Sequence, residues 1–330
     1  MRWSRPIFSS RNTLSFGLDI SSAAVTLLEL SYAQDHYKVE SYGQYALSAD
    51  IVNGNMILDV EALANAIRDL LADLQLWSCF EGQLEAVIAV PDACAISKTI
   101  SVNERLTEKD LEGLVQMELE TLIQGSMDDL CFDFKRVEST SPQTDLKDLV
   151  IVATRIHHIQ DRMAALRRLG ITVKVVDLES CALQRVLPLI LPQEKRLGLS
   201  VLLDLGSSFL KIFFFKQGSL VFMREEEFGS TVQAMDDEDY REALLIRLKR
   251  ARHFFHAAFP QHDVISDILL GGCGANQAEL AGWIQQKCAI FTSIANPFLT
   301  MTMASGLDAA RLHGDAPMYL TACGLAKRAC

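Results

Sequence analysis

Two aspartates stand at matching places in two similar stretches of this sequence. Asp19 lies in "SFGLDISSAAVTLLEL" and Asp204 lies in "VLLDLGSSFLKIFFF", 185 positions further along (204 − 19 = 185). Each aspartate follows an apolar run and precedes small and hydroxyl-bearing residues. Small residues let a backbone come close to a phosphate group, and consecutive N–H groups and serine hydroxyls can donate to its oxygens. Each stretch therefore predicts a phosphate-binding loop, although a single loop of this kind is usually an ordinary turn.

The aspartates themselves do not suit a phosphate, because both groups are anionic. A carboxylate at this place suits a magnesium ion, which keeps several of its water ligands in proteins. Asp19 and Asp204 are thus the predicted magnesium ligands, acting through water. The sequence assigns no catalytic residue.

A third candidate group lies in "ILLGGCGAN", where an apolar strand runs into a glycine-rich turn. These glycines would let a flat base lie against the backbone. A glycine turn after a strand also resembles a dinucleotide fingerprint, but Gln277 stands where its third glycine belongs. The predicted cofactor-binding residues are Asp19, Ser21, Ser22, Asp204, Gly206, Ser207, Ser208, Lys211, Gly271, Gly272 and Gly274.

The elements that would position these residues repeat with them. Each Asp-containing stretch predicts three strands joined by two turns, because apolar and branched runs alternate with polar turn sequences such as "AQDH" and "KQGS". Between the two copies, the pattern predicts a helix, a buried strand and a β-α-β-β-α block at about 93–170. The polar, proline-marked "LPQEKRLGLS" is the candidate linker between the copies. The chain is therefore expected to be an α/β protein with a duplicated core.

Composition limits the classes of function. The chain has 330 residues, of which 49% are hydrophobic and 22% are charged, so a sizeable core is expected and extended disorder is not. A net charge of −11 argues against a nucleic-acid partner, which needs a clustered basic face. The one dense basic run, "RLKRARHFFH" from Arg247, is interpreted as a solvated helix face.

The cysteines and the N-terminal segment indicate a location. The 8 cysteines are scattered without CxxC spacing, which gives zinc no support and fits a reducing cytoplasm. No apolar stretch reaches the roughly 18 residues needed to cross a bilayer. The basic start "MRWSRPIFSSRN" lacks the apolar core of a secretion signal. It is interpreted as a frayed tail, with contact to an anionic membrane surface as the alternative.

The order of these motifs resembles that of the actin–Hsp70–sugar-kinase superfamily of ATP-binding folds. Within that superfamily, the chain is similar to the PilM family of type IV pilus assembly proteins, which is related to the cell-division protein FtsA. The block at about 93–170 matches the subdomain that sets FtsA and PilM apart from actin. The similarity is carried, over nearly the whole chain, by "GLDISSAAVTLLEL", "VIAVPDACAISKTISV", "VVDLESCALQR", "LLDLGSSFLKIFFF", "ILLGGCGA", "ANPF" and "ACGLAKR".

The resemblance implies a two-lobed, actin-like (ribonuclease H-like) fold that binds ATP and Mg²⁺ between its lobes. The implied division is a tail at 1–12, a first lobe at 13–197 with the inserted subdomain at about 93–170, a second lobe at 198–316, and a C-terminal helix at 317–330 returning to the first lobe. It also implies a cytoplasmic protein, peripheral at the inner face of the bacterial inner membrane, with a role in pilus biogenesis and twitching motility. The implied partners are the N-terminal cytoplasmic tail of PilN, gripped in the family between the first lobe and the inserted subdomain, and other type IV pilus inner-membrane components.

The sequence departs from the family where the nucleotide would bind. Ser21 replaces a glycine, which would cost about 1 kcal/mol if that position required a positive φ. Thr26 replaces a residue that is often basic in the family, and Cys273 replaces a glycine of the base-binding turn. These departures bear on whether ATP binds at all.

The segment 229–247 is short at the place where the family has an acidic residue and a lysine that help hold the adenosine. Glu238 and Lys249 are poor substitutes by position. Two hypotheses therefore stay open: the protein binds MgATP as a structural ligand and is at most a slow ATPase, or it is a nucleotide-free scaffold in the same complex. A small-molecule kinase is a third reading, for which no acceptor pocket or catalytic base is found. Self-association is open as well.

Overall fold

The computed structural model of this chain describes residues 13–79, 83–123, 126–137, 145–228, 237–259 and 264–330. The tail expected at 1–12 lies outside the described residues. So do residues 229–236, which form much of the short segment 229–247.

The chain folds into mixed α and β structure, as predicted. The strands are β1 (Thr13–Ile20), β2 (Ala24–Ala33), β3 (His36–Ala46), β4 (Val52–Asn53), β5 (Met56–Ile57), β6 (Gln83–Val90), β7 (Ala95–Asn103), β8 (Leu130–Val137), β9 (Leu146–Arg155), β10 (Thr172–Leu178), β11 (Leu199–Leu205), β12 (Phe209–Lys216), β13 (Ser219–Glu227), β14 (Ile265–Gly271), β15 (Phe291–Ile294) and β16 (Thr302–Met303). The helices are α1 (Val60–Asp73), α2 (Leu76–Cys79), α3 (Glu108–Leu122), α4 (Ile156–Arg168), α5 (Glu179–Ile190), α6 (Gln193–Arg196), α7 (Asp237–Ala258), α8 (Leu280–Cys288), α9 (Ala309–Asp315) and α10 (Leu320–Ala329). Within the described part of the chain, none of the helices is long and apolar enough to cross a membrane.

By its contacts the chain divides into two compact units. One is Val90–Ala164, and the other joins Met1–Ala89 with Ala165–Cys330. The larger unit holds a six-stranded sheet in the order β10-β6-β1-β2-β3-β16 and a five-stranded sheet in the order β13-β12-β11-β14-β15. In each sheet, three consecutive strands form an antiparallel meander, and a parallel strand joins the first of them. The two sheets therefore repeat the same arrangement, and the predicted duplication is confirmed.

Alternate residues of β12 pack into two different cores. Ile212 and Phe214 are fully buried against helices α7 and α8. Phe213 and Phe215 point to the other face and pack with residues of β2, β3, α5 and α10. This is the two-residue period of a strand buried on both faces. The phenylalanine run thus belongs to the core, and it packs the two sheets together.

The C-terminal helix α10 lies against β1 and α5, and two glycines allow the close approach. A Cβ at Gly17 would lie 2.3 Å from the backbone nitrogen of Ala326. A Cβ at Gly324 would lie 2.0 Å from the carbonyl oxygen of Ala182. No side chain fits at these distances, so glycine is required at both places.

The smaller unit contains the three-stranded antiparallel sheet β7-β9-β8, helix α3 and the first part of α4. Its elements follow the β-α-β-β-α order predicted for the inserted block. Helix α3 begins with a capping box: Thr107 Oγ1 accepts from the N–H of Asp110, and the Asp110 carboxylate accepts from the N–H of Thr107. Leu111, Val115 and Leu119 form the buried face of this helix.

Candidate functional site

The loops of the two repeated hairpins contact each other through serine hydroxyls. Ser22 Oγ lies 3.1 Å from Ser207 Oγ and 3.0 Å from Ser208 Oγ, within hydrogen-bonding distance of both. All three residues are partly buried. The structure thus brings together serines that lie 185 and 186 positions apart. Because these hydroxyls are in contact, a phosphate group could lie between them only if the loops moved apart.

The first loop is shaped by Ser21 and the second by Gly206. Ser21 Oγ donates to the carbonyl oxygen of Ala24 at 3.1 Å and accepts from the N–H groups of Ala23 and Ala24. Ser21 does not have a positive φ, so the cost of replacing a glycine does not arise there. A Cβ at Gly206 would lie 2.9 Å from the carbonyl oxygen of Phe209, so this loop needs its glycine.

Each hairpin places one residue from each of its three strands in a row across the sheet. The rows are Asp19–Thr26–Gln44 in the first hairpin and Asp204–Lys211–Glu225 in the second. Gln44 Nε2 donates to Thr26 Oγ1 at 3.0 Å, so the first row carries two neutral partners beside its aspartate. All three residues of the second row are ionisable. The two rows therefore share a backbone register but differ in the side chains beside the aspartate.

Lys211 is held by carboxylates from both halves of the larger unit. Its Nζ donates to Glu179 Oε2, at the first residue of α5, and lies 3.9 Å from Glu225 Oε2. Glu225 Oε1 in turn accepts from Asn55 Nδ2 at 2.9 Å, and Asn55 lies between β4 and β5. The charged side chains are between 10% and 13% exposed. These contacts, together with the serine contacts, join the first hairpin's half of the unit to the second.

The charge balance of this cluster is unfavourable for its carboxylates, because one lysine faces three acids. Burial raises the pKa of the Asp204 carboxyl from 3.8 to about 6. The Lys211 ammonium opposes this rise, and the carboxylates of Glu179 and Glu225 add to it. Burial by itself would lower the pKa of Lys211, but the surrounding carboxylates outweigh it and raise that pKa well above 10.5. Lys211 therefore stays charged, while the raised pKa of Asp204 means that its ionised form is disfavoured in the folded protein.

The glycine turn after β14 lies directly against Asp204. Gly271 pairs with Asp204 across β11 and β14. Gly272 has a φ of +79°, and a Cβ there would lie 2.5 Å from Asp204 Oδ1, so both the backbone conformation and the close approach require glycine. The N–H groups of Gly272 and Gly274 donate to neighbouring carbonyl oxygens at 2.8 and 2.9 Å. Cys273, between them, is exposed.

Three residues of this cluster were missed by sequence reasoning: Asn55, Glu179 and Glu225. For Asn55 a signal exists, because Asn53-Gly54 is a hairpin sequence and Gly54 has a φ of +58°. Glu225 is found once the register of the second hairpin is known. Glu179 has no local signal, since it reaches Lys211 from a helix 32 positions earlier in the chain.

The residue types fit a phosphate and a magnesium ion, but their donors are already engaged within the protein. The serine hydroxyls contact each other and the Lys211 ammonium is bonded to Glu179. A polyphosphate would have to replace both kinds of partner. In the described part of the chain, no group of three or more His, Cys, Asp or Glu side chains is placed to hold a metal ion. A magnesium ion here would therefore depend on water and phosphate for most of its ligands.

Comparisons with known proteins identify the family and the fold of this chain. A family model described as type IV pilus assembly protein PilM matches residues 17–236 and 237–330. A solved PilM–PilN type IV pilus biogenesis complex is similar with a TM-score of 0.79 and 19% identity, over 96% of this chain and 98% of that chain. The ethanolamine utilization protein EutJ from Carboxydothermus hydrogenoformans is similar with a TM-score of 0.51 and 11% identity, over 94% of this chain and 88% of that chain. The fold is thus the actin-like fold that the sequence resemblance implied.

Proposed function

The chain belongs to the family of the type IV pilus assembly protein PilM, and from that membership we propose that it works as a cytoplasmic, actin-like component of the inner-membrane complex that builds type IV pili. The observation that carries this proposal is the family match over residues 17–236 and 237–330, which includes both repeated hairpins. Deleting the gene in its own host should abolish surface pili and twitching motility, and the intact gene should restore both. Normal piliation in the deletion strain would contradict the proposal.

We propose that this chain binds the N-terminal cytoplasmic tail of its host's PilN, and through it the other inner-membrane components. The support is the similarity to a PilM–PilN complex over 96% of this chain. Binding to PilN would also place the protein at the inner face of the inner membrane. Calorimetric titration with a synthetic peptide of that tail should show saturable binding, and a scrambled peptide of the same composition should show none. Equal heats from both peptides would contradict a specific PilN site.

We also propose that MgATP binds between the two hairpins as a structural ligand and that the protein is at most a slow ATPase. The support is the convergence of hydroxyls, a lysine, an aspartate and a glycine turn from three segments at one place. The proposed roles are Mg²⁺ held through water by Asp19 and Asp204, phosphates at Ser21, Ser22, Gly206, Ser207, Ser208 and Lys211, and the base at Gly271, Gly272 and Gly274.

A nucleotide-free scaffold is the second candidate, and specific contacts favour it. Ser22 contacts both serines of the second loop, and Lys211 is bonded to Glu179, so the loops are closed on each other. Calorimetric titration with MgATP, after a chromatographic check for copurified nucleotide, separates the two candidates. Micromolar or tighter binding supports the structural ligand. Absence of binding and of copurified nucleotide supports the scaffold, and the PilN titration is unaffected by either result.

We propose that the chain divides at the boundaries that the sequence resemblance implies. These are a tail at 1–12, lobes at 13–197 and 198–316, an inserted subdomain at about 93–170 and a C-terminal helix at 317–330. Limited proteolysis of the purified protein should cut first near the ends of the inserted subdomain if it is an independent unit. Early cleavage elsewhere in the first lobe would argue against these boundaries.

A further inference from the structure

The basic run of helix α7 has two faces, and they have different surroundings. Arg247 and Arg250 both reach Glu226 on β13: Arg247 Nε lies 3.7 Å from its Oε2, and Arg250 Nη2 is bonded to the same oxygen. Lys249 and Arg252, also three positions apart, lie on another face of the helix and line a cavity. The run is therefore not one uniform solvated face, as the sequence suggested. One face serves an ion-pair cluster and the other is directed to a cavity.

That cavity lies in the second sheet's half of the larger unit, between α7, β14, α8 and the chain just before β15. It has a volume of about 120 Å³. Part of its lining is apolar and comes from Ile265, Ile268 and Ile290. Its basic lining is Lys249, Arg252 and Lys287. The cavity thus combines three cations with an apolar lining, in a chain whose net charge is −11.

The cations of the cavity are weakly engaged. Lys249 and Arg252 are exposed. Lys287 Nζ lies 3.3 Å from Glu242 Oε1, but these side chains are 45% and 48% exposed, and an ion pair in water of this kind contributes little. Their charges are thus available to a ligand at low cost.

One exposed apolar side chain extends the apolar surface next to the cavity. Val264, immediately before β14, is 85% exposed. Val264 is adjacent in sequence to Ile265 of the cavity lining. Phe291 pairs with Asp267 and lies under Lys195, whose Nζ is 4.1 Å from the ring centre, so Phe291 belongs to the other face of the sheet. An extended ligand could cover Val264 while placing one group in the cavity.

We propose that this basic cavity binds an acidic polypeptide segment that inserts one aliphatic side chain. The volume suits such an anchor, because a cavity of about 150 Å³ binds a single benzene molecule, whereas cofactor and drug-sized sites have about 300–1,000 Å³. The cations would pair with carboxylates on either side of the anchor. The cavity lies apart from the serine loops, so this inference does not depend on nucleotide binding or on PilN.

The test uses the full chain and the fluorescently labelled pentapeptide Asp-Glu-Leu-Asp-Glu as the probe. Binding is followed by fluorescence anisotropy and by the rate at which maleimide alkylates Cys288, a free thiol in the cavity lining, measured by mass spectrometry at that residue. The peptide should bind, slow alkylation at Cys288, and bind less tightly as salt increases. The same peptide with Ser in place of Leu should bind about tenfold more weakly, because it lacks the apolar anchor.

The double variant Lys249→Glu/Arg252→Glu should lose at least about tenfold in peptide affinity. Its matched control is Arg105→Glu/Lys109→Glu, which makes the same charge change at two exposed cations of the other unit and should leave affinity within about twofold. If the first variant does not fold, Lys249→Gln/Arg252→Gln replaces it, with a smaller loss in the same direction.

Three results would overturn the proposal. One is equal peptide affinity for the Lys249/Arg252 variant and its control. Another is protection of Cys288 by octanoate but not by the peptide, which would assign the cavity to a fatty acid. The third combines two observations: the wild-type chain forms an oligomer and binds no peptide, and the Lys249/Arg252 variant is monomeric. That result would assign the cavity to a second copy of this chain.

Discussion

Replacing Asp204 with asparagine should stabilise this protein near neutral pH, although Asp204 lies at the centre of the candidate site. One lysine, Lys211, serves the carboxylates of Asp204, Glu179 and Glu225. Asparagine has nearly the same shape as aspartate and removes one of the three negative charges. Lys211 keeps two carboxylate partners in the variant, so no buried cation is left alone.

The magnitude follows from the pKa of Asp204, which burial raises from 3.8 to about 6. That difference corresponds to about 3 kcal/mol, since a tenfold change in proton affinity is worth about 1.36 kcal/mol. The folded protein holds the proton more tightly than the unfolded chain does. Stability from this group is therefore fully present below about pH 4 and is lost as the pH rises towards 6. Above pH 6 the wild-type protein carries the whole cost, and the asparagine variant carries none of it.

Thermal melts followed by circular dichroism between pH 4 and pH 8 measure this effect. A gain of about 1–3 kcal/mol should raise the melting temperature of Asp204→Asn by several degrees at pH 7.5, and the gain should vanish near pH 4. Asp19→Asn is the matched control, because it makes the same change at the equivalent position of the first hairpin, beside the neutral Thr26 and Gln44. The control measures the effect of the same substitution outside the Lys211 cluster.

Two results would refute the reasoning. A lower melting temperature of Asp204→Asn at pH 7.5 would mean that the charge of Asp204 stabilises the cluster instead of straining it. A gain that is the same at pH 4 and pH 7.5 would mean that the effect comes from packing or hydrogen bonding and not from charge.

Two further substitutions test the closed loops and the glycine contact. Glu179→Gln should release Lys211 and remove a negative charge beside the proposed phosphate site, so calorimetry should show MgATP binding about tenfold more tightly than to the wild type; unchanged or weaker binding would contradict the proposed role of Lys211. Gly324→Ala should cost about 1–3 kcal/mol and lower the melting temperature, because its Cβ would lie 2.0 Å from the Ala182 carbonyl oxygen. The control Gly314→Ala meets nothing within 4 Å and should be neutral or slightly stabilising; equal losses in both variants would contradict the packing argument.

Much of the fold could be predicted from the sequence, because local patterns suffice for it. The two Asp-containing stretches have the same alternation of apolar and turn residues, so they form the same antiparallel meander. The capping box at Thr107 and Asp110 depends on residues only three positions apart, so it too is a local feature. The small β4–β5 hairpin was missed, although Asn53-Gly54 signals a turn, because two-residue strands give no periodicity.

The sequence could predict which loop residues of the candidate site come together, but not whether the loops are open or in contact. Sequence repetition selected Ser22, Ser207 and Ser208, and the structure brings them together. It could not show that their hydroxyls contact one another, because the distance between the two loops depends on the packing of two sheets. Nor could it show that the basic run of α7 has two differently used faces, since Glu226 and most of the cavity lining belong to other elements.

The sequence by itself determined that this protein has a duplicated α/β fold with two matched hairpins and a glycine turn, since those depend on neighbouring residues and their period. Only the tertiary structure decided that Lys211 pairs with Glu179 and that the serine loops are closed. The physical reason is that hydrogen bonds and ion pairs act over a few ångströms, so their partners are known only after distant segments have packed. The rows Asp19–Thr26–Gln44 and Asp204–Lys211–Glu225 occupy equivalent positions in the two hairpins but have different surroundings. Repetition set their positions, and the surrounding fold set the charge that each position experiences.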